Sequence, residues 1–420
     1  MHVTSPVCTS PPNGTQFGID LSNGGTINVD INVSVQAIAA IANATLSLDG
    51  TSLSVATEIA TLASAQLSNG AVINPGLEML TLDLRMQNST INGPVTVGGP
   101  SAPIGTINIS GSSVQKLFFS GSGTLKNSTV GDNSILEFVG NPSLISNTSF
   151  NGFVGVDSGG SLTIDNGSKI NSVLNGAAQN VFVGASASGV LTLQGGSQLN
   201  ISGANLTLGG IQNSSGITVL NDTSSLTADN EIIGDAGSGQ LGQSGGTNTV
   251  FAGTGFLGAS GQVTLGNQIT GNGTYNLAGG TLSAATVLVG SAGTGFFNQG
   301  AGTTNTISEE LSLGDQSGSS GTYNMFGGTL TITNANGNLA QKSIIVGNGG
   351  TGVFNQSGGA VSATNLEGWG RSDCERKLFS DRRHEHFIRI LGSRRRALRR
   401  VRPGDLHPER CLNYPVSRRQ

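Results

Sequence analysis

Along most of the chain, apolar residues fall at every second position in runs of about five, and Gly, Asn or Asp bounds each run. Such alternation predicts short strands with one face buried, turned at their ends by residues that tolerate sharp corners. The runs repeat. Gly273-Thr-Tyr-Asn-Leu-Ala-Gly-Gly is followed by Gly295-Phe-Phe-Asn-Gln-Gly-Ala-Gly, Gly321-Thr-Tyr-Asn-Met-Phe-Gly-Gly and Gly352-Val-Phe-Asn-Gln-Ser-Gly-Gly, at spacings of 22, 26 and 31. A second phrase, apolar-x-apolar-Gly, follows each of the first three units: Val287-Leu-Val-Gly290, Leu311-Ser-Leu-Gly314 and Ile344-Ile-Val-Gly347. Weaker copies of the first phrase begin at Gly160, Gly189, Gly216 and Gly239, and copies of the second end at Gly184, Gly209 and Gly234. Residues 20–150 keep the alternation, as in Gly105-Thr-Ile-Asn-Ile-Ser-Gly, with a less regular period.

One unit of 22–31 residues has too little apolar surface to fold alone. Stacking units at the strand spacing of about 4.8 Å lets each strand pair with its equivalent in the next coil. The expected fold is therefore all-β, a parallel β-helix (β-solenoid) over residues 20–366, clearest over 155–366, after an irregular segment at 1–19. Like residues should then stack. Tyr275, Phe297, Tyr323 and Phe354 form an aromatic column, and Asn276, Asn298, Asn324 and Asn355 an amide ladder. Residues 54–67 (SVATEIATLASAQL) carry a local alternative, a short amphipathic helix with Ile59, Leu62 and Ala63 on one face.

Composition agrees with a repeat array. Glycine is 66 of 420 residues, and charged residues are 10% where a typical domain has about 25%. The charges are unevenly placed. Residues 1–366 hold five of the 20 basic side chains (Arg85, Lys116, Lys126, Lys169 and Lys342) and 17 of the 24 acidic ones, a net of −12; residues 367–420 net +8. An acidic body is a poor partner for nucleic acid. The tail, 367–420, loses the Gly repeats at Glu367 and gains Arg-rich runs such as Arg394-Arg395-Arg396. It is non-repetitive, and disorder is expected there. Two readings of the change stand: a basic arm for nucleic acid or an anionic membrane, and a one-base frameshift near Leu366, which is the expectation. Codons can be chosen for residues 374–386 that, read one base later, restore a Gly-Ser-Phe-Ser-Val phrase. Its leading glycine falls at the position of Arg376, 24 residues after Gly352.

Few residues suggest chemistry. Cys8, Cys374 and Cys411 have no ligand spacing, so neither a zinc site nor a disulfide framework is expected. Residues 3–366 contain no His, which excludes a His-dependent nucleophile there. Gly234-Asp-Ala-Gly-Ser-Gly is a single, mis-spaced approximation to a calcium-binding turn. Gly253-Thr-Gly255 lacks the Lys and helix of a phosphate loop. Glu309-Glu310 is the one adjacent acidic pair of the body, and strand neighbours point to opposite faces. Asn-x-Ser/Thr sequences, such as Asn43-Ala-Thr and Asn205-Leu-Thr, are attributed to composition. No catalytic, cofactor-binding or metal-binding residue is therefore expected, and no enzymatic activity. The most apolar run, residues 37–46, is about half the length of a membrane-spanning helix. The start, MHVTSPVCTSPPNG, lacks the basic and apolar regions of an export signal.

The phrases G-T-Y-N-L-x-G-G-T-L and G-T-G-x-F-N-Q-x-G-G resemble the passenger-associated transport repeat of bacterial autotransporters, well over 273–365 and more faintly over 155–272. The resemblance implies a right-handed β-helix passenger exported through an outer-membrane β-barrel. That barrel would belong to the intact gene; residues 367–420 show no barrel-type strands. It also implies an extracellular or outer-membrane cell-surface location. The expected function is a structural or adhesive, non-catalytic rod, monomeric, with surface glycans or proteins as partners. The alternative is a polysaccharide-binding or polysaccharide-cleaving β-helix, which requires three or more charged side chains meeting on one outer face.

Overall fold

The chain coils as the repeats require. The computed structural model describes residues 25–368, apart from residues 31, 41–42, 58, 76–78, 99–103, 251–260, 334–342 and 364, together with the strands His2–Thr4, Gly18–Leu21 and Arg389–Leu391. One continuous sheet holds 36 strands, and its neighbours pair in parallel throughout the body. Each coil contributes three strand segments, and each segment stacks on the same segment of the next coil, giving a parallel β-helix with three faces. About fifteen coils at about 4.8 Å each make a rod roughly 70 Å long. The Gly phrase forms the first face: Gly160, Gly189, Gly216, Gly239, Gly273, Gly295, Gly321 and Gly352 lie in one unbroken column. The apolar-x-apolar-Gly phrase forms the third face, with Val183, Leu208, Ile233, Leu265, Val289, Leu313 and Val346 in register. The second face lies between them. Both ends are closed by antiparallel strands, His2–Thr4 on residues 26–28 and Arg389–Leu391 on residues 353–355. The third-face column continues past residue 366, because Asn365–Gly368 pairs with Ser343–Val346. The rest of the Arg-rich tail lies outside the described residues, and so does the segment to which the frameshift reading applies.

The glycines of the two phrases do different work. Those ending the second phrase, such as Gly290 (φ 70°) and Gly314 (φ 66°), take the left-handed conformation that turns the third face into the first. The leading glycines of the first phrase do not. A Cβ on Gly321 would lie 1.9 Å from the carbonyl oxygen of Val289, so the lack of a side chain lets the chain close the corner against the preceding coil. Corner chemistry alone does not account for them.

Upstream of residue 155 the coil is more regular than the alternation suggests. Corners between the first and second faces are made by Asn69, Asn88, Asn127 and Asn147 at φ between 45° and 53°, with Gly50 and Gly111 at equivalent places. The next residue is often a hydroxyl turned inward. The backbone N–H of Ser89 donates to Ser112 Oγ (3.1 Å), that of Ser112 to Ser128 Oγ (3.3 Å), that of Ser128 to Thr148 Oγ1 (3.3 Å) and that of Thr148 to Ser168 Oγ (3.2 Å). These hydroxyls are buried, so each also satisfies a backbone donor that would otherwise be orphaned. Sequences such as Asn88-Ser-Thr and Asn127-Ser-Thr are thus corner motifs, with a left-handed Asn and an internal hydroxyl, and composition alone does not explain them.

The helical alternative at residues 54–67 is not realised; Ser52–Val55 and Ile59–Ser68 are strands. The register slips between Ile59 and Leu62, where the strand passes from the third face to the first. Ile59 and Leu62 therefore both point inward three residues apart, and Ala65 and Leu67 follow at period two, while Ala63 does not join them. A corner within a strand imitates helical spacing.

The interior is filled by side chains from all three faces. Tyr275, Phe297, Tyr323 and Phe354 stack at centroid distances of 4.9, 4.6 and 5.3 Å, with ring planes within 16° of parallel. On the outer side of the same strands, Asn298 Nδ2 donates to Asn276 Oδ1 (2.8 Å), Asn324 Nδ2 to Asn298 Oδ1 (2.9 Å) and Asn355 Nδ2 to Asn324 Oδ1 (2.8 Å). Both columns run as the repeat predicts. Asn324→Ala removes one donor and one acceptor from the half-buried ladder. Chemical denaturation is expected to read a loss of about 1 kcal/mol, the worth of an ordinary hydrogen bond.

Candidate functional site

The most concentrated polar chemistry lies inside the rod. Gln243 and Asn248 point inward from one coil, and Tyr275 from the coil above. The Tyr275 hydroxyl donates to Gln243 Oε1 (2.6 Å) and accepts from Asn248 Nδ2 (2.9 Å). Gln243 Nε2 donates to the Thr281 carbonyl (2.9 Å), tying the network to the second face. The arrangement recurs two coils later: the Tyr323 hydroxyl donates to Gln299 Oε1 (2.5 Å) and accepts from Asn305 Nδ2 (3.0 Å), and Gln299 Nε2 donates to the Thr329 carbonyl (3.0 Å). In register, Gln243, Leu277, Gln299 and Met325 share one column, and Asn248, Leu282, Asn305 and Leu330 another. The structural unit here is a pair of coils: one supplies Gln and Asn, the next Tyr and two apolar residues.

The lower triad has an additional member. Glu231, fully buried on the third face, accepts from Asn248 Nδ2 through Oε2 (3.1 Å). Its Oε1 has no hydrogen-bond partner, and neither has Asn248 Oδ1. Burial pushes the carboxyl up from 4.5 to about 7, against the opposing effect of the Asn248 hydrogen bond. Burial, and secondarily the neighbouring Glu231, raises Tyr275 well above the ordinary tyrosine value. A carboxyl that stays neutral can donate a hydrogen bond; here it is sealed from solvent, so its chemistry bears on the core. Sequence reading passed over Glu231, Gln243, Asn248, Gln299 and Asn305.

The positions weighed from sequence are spread along the surface. Asp235 of the Gly234-Asp turn accepts from Asn267 Nδ2 (2.7 Å) and Gln268 Nε2 (3.0 Å), and so joins a stacked corner. Asp315 accepts from Asn348 Nδ2 (2.9 Å) in the same way. Glu309 accepts from Thr286 Oγ1 (3.4 Å) at the turn from second to third face. Gly253-Thr-Gly255 lies outside the described residues. Among the described residues, no group of three or more His, Cys, Asp or Glu side chains is placed to hold a metal ion.

A shallow open cleft of about 330 Å³ runs across the first face, lined in part by Ser47, Gln66, Arg85 and Asn108, stacked rung above rung. Arg85 Nε meets Asp83 Oδ2 at 2.8 Å, and Thr106 Oγ1 donates to Asp83 Oδ1 (2.7 Å). Two charges meet here. No protein-family model, curated protein or solved structure matches the chain.

Proposed function

We propose that this chain is a structural or adhesive rod, the non-catalytic passenger of an autotransporter-like protein, displayed at the bacterial surface or released from it. One observation carries the reading: side chains from all three faces fill the interior, so contact with partners falls to the long, low-charge outer faces. Solenoids of this type present extended surfaces for binding. The passenger assignment rests on the repeat phrases. A second reading, in which polysaccharide binds along the first-face cleft, draws on its stacked Gln, Arg and Asn, but Arg85 and Asp83 are two charges and fall short of the three that this reading calls for.

One assay addresses both. Labelled full-length protein is incubated with epithelial cell layers, matrix proteins and purified plant and bacterial polysaccharides. Retention on at least one surface, with polysaccharide length unchanged, is the expected outcome. Release of shortened oligosaccharides would sink the non-catalytic reading, and retention on none of the surfaces would sink the adhesive one.

A further inference from the structure

The second face carries a pattern that the rod's proposed role does not use. Its segments at residues 225–228, 247–250, 281–284, 304–307 and 329–332 all read hydroxyl-x-hydroxyl-x, where each hydroxyl residue is Thr or Ser. The x positions, among them Leu226, Leu282 and Leu330, are buried, so both hydroxyl residues of every segment point outward. The segments pair rung on rung without a slip inside the patch. Thr281 Oγ1 lies 3.5 Å from Thr247 Oγ1 on the neighbouring rung. Two parallel rows result, with hydroxyls repeating at about 4.8 Å along the rod and about 6.7 Å across it, each beside a methyl except at Ser225 and Ser283.

Such a face suits few partners. Its five described segments carry no charged side chain to pair with an ionic ligand and no aromatic ring for a sugar or a protein hot spot to pack against. What it offers is a rigid two-dimensional lattice of donor–acceptor groups beside small apolar ones. Both repeats are close to the oxygen spacings of the ice prism plane. Hydroxyls held at that spacing hydrogen-bond water in ice-like positions, and the methyls between them favour the same ordered layer over liquid water. The strands fix the lattice before contact, so little ordering entropy opposes binding. We propose that the second-face segments 225–228, 247–250, 281–284, 304–307 and 329–332 together form an ice-binding surface whose ligand is crystalline water.

The test is partition of purified full-length protein into a slowly growing ice front, with crystal shaping and recrystallisation followed under a cold-stage microscope. Wild-type protein is expected to enter the ice and facet the crystals. Thr304→Lys and Thr329→Tyr, on the rows, are expected to lose both effects while keeping the wild-type β-sheet circular dichroism. Thr322→Tyr, outward on the first face, is expected to retain them. Exclusion of the wild type from ice would overturn the proposal. So would ice binding that survives in a folded row variant. A row variant that fails to fold is replaced in the comparison by the other.

Discussion

Glu231→Gln is expected to be about 3 kcal/mol more stable than the natural chain at pH 8 and to lose the natural chain's pH dependence between about 4.5 and 7. The folded carboxyl titrates at about 7 and the unfolded one at 4.5. Below the unfolded value both states hold the proton, and burial costs nothing in ionisation. As pH rises from 4.5, the unfolded chain releases its proton first, so stability falls with a slope of about 1.4 kcal/mol per pH unit. Above about 7 both states are ionised and the loss is complete. Glutamine has the same shape and no charge, and its amide can donate where the protonated acid would. Denaturant titrations from pH 4 to pH 8, with hydrogen exchange of the amides of residues 230–233 as a local probe, separate the possibilities. Equal slopes in the two proteins, or natural-chain stability that rises over this interval, would contradict the assignment of a neutral core carboxyl.

Tyr323→Phe should cost about 3 kcal/mol, although it removes a single oxygen. The ring itself is not at issue, because Phe297 and Phe354 occupy the equivalent position in the coils on either side. The loss comes from Gln299 Oε1 and Asn305 Nδ2, which are left buried without their shared partner, and each such orphan costs about 1–3 kcal/mol. A second measurement isolates this cause. Adding Gln299→Leu and Asn305→Leu removes the orphans, and the natural sequence already has Leu277 and Leu282 at those columns. The triple variant is expected to recover most of the lost stability. If it stays as unstable as Tyr323→Phe, the triad is not what the hydroxyl serves.

The stacking of coils was legible because it depends on identity repeated in register. Asn276, Asn298, Asn324 and Asn355 announce a ladder, since each needs its like above and below. Three features stayed hidden for physical reasons. The Tyr–Gln–Asn triads span two coils, so within any single repeat Asn248 or Gln299 reads as a polar lapse in an apolar column. Tyr alternating with Phe in the aromatic column was the available signal. The regular coiling before residue 155 is written in Asn-Ser/Thr corners, which a chain rich in those residues disguises as composition. At residues 59–67, a turn within a strand shifts the inward alternation by one residue and yields spacing that a helix would also give. Glu231 had no local mark at all; it resembles any acid in a strand until the stacked coils close around it.

The pairing of unlike coils sets a rule for how such a gene can change in size. Excising a Gln–Asn coil together with the Tyr coil above it brings Phe297, Gln299 and Asn305 down onto the places of Leu241, Gln243 and Asn248, and the join finds complementary neighbours on both sides. Losing the Tyr coil alone seats Phe297 over Gln243 with no hydroxyl to offer it. Duplication and deletion along this stretch should therefore survive in even numbers of turns, and related chains should differ in length by two coils at a time.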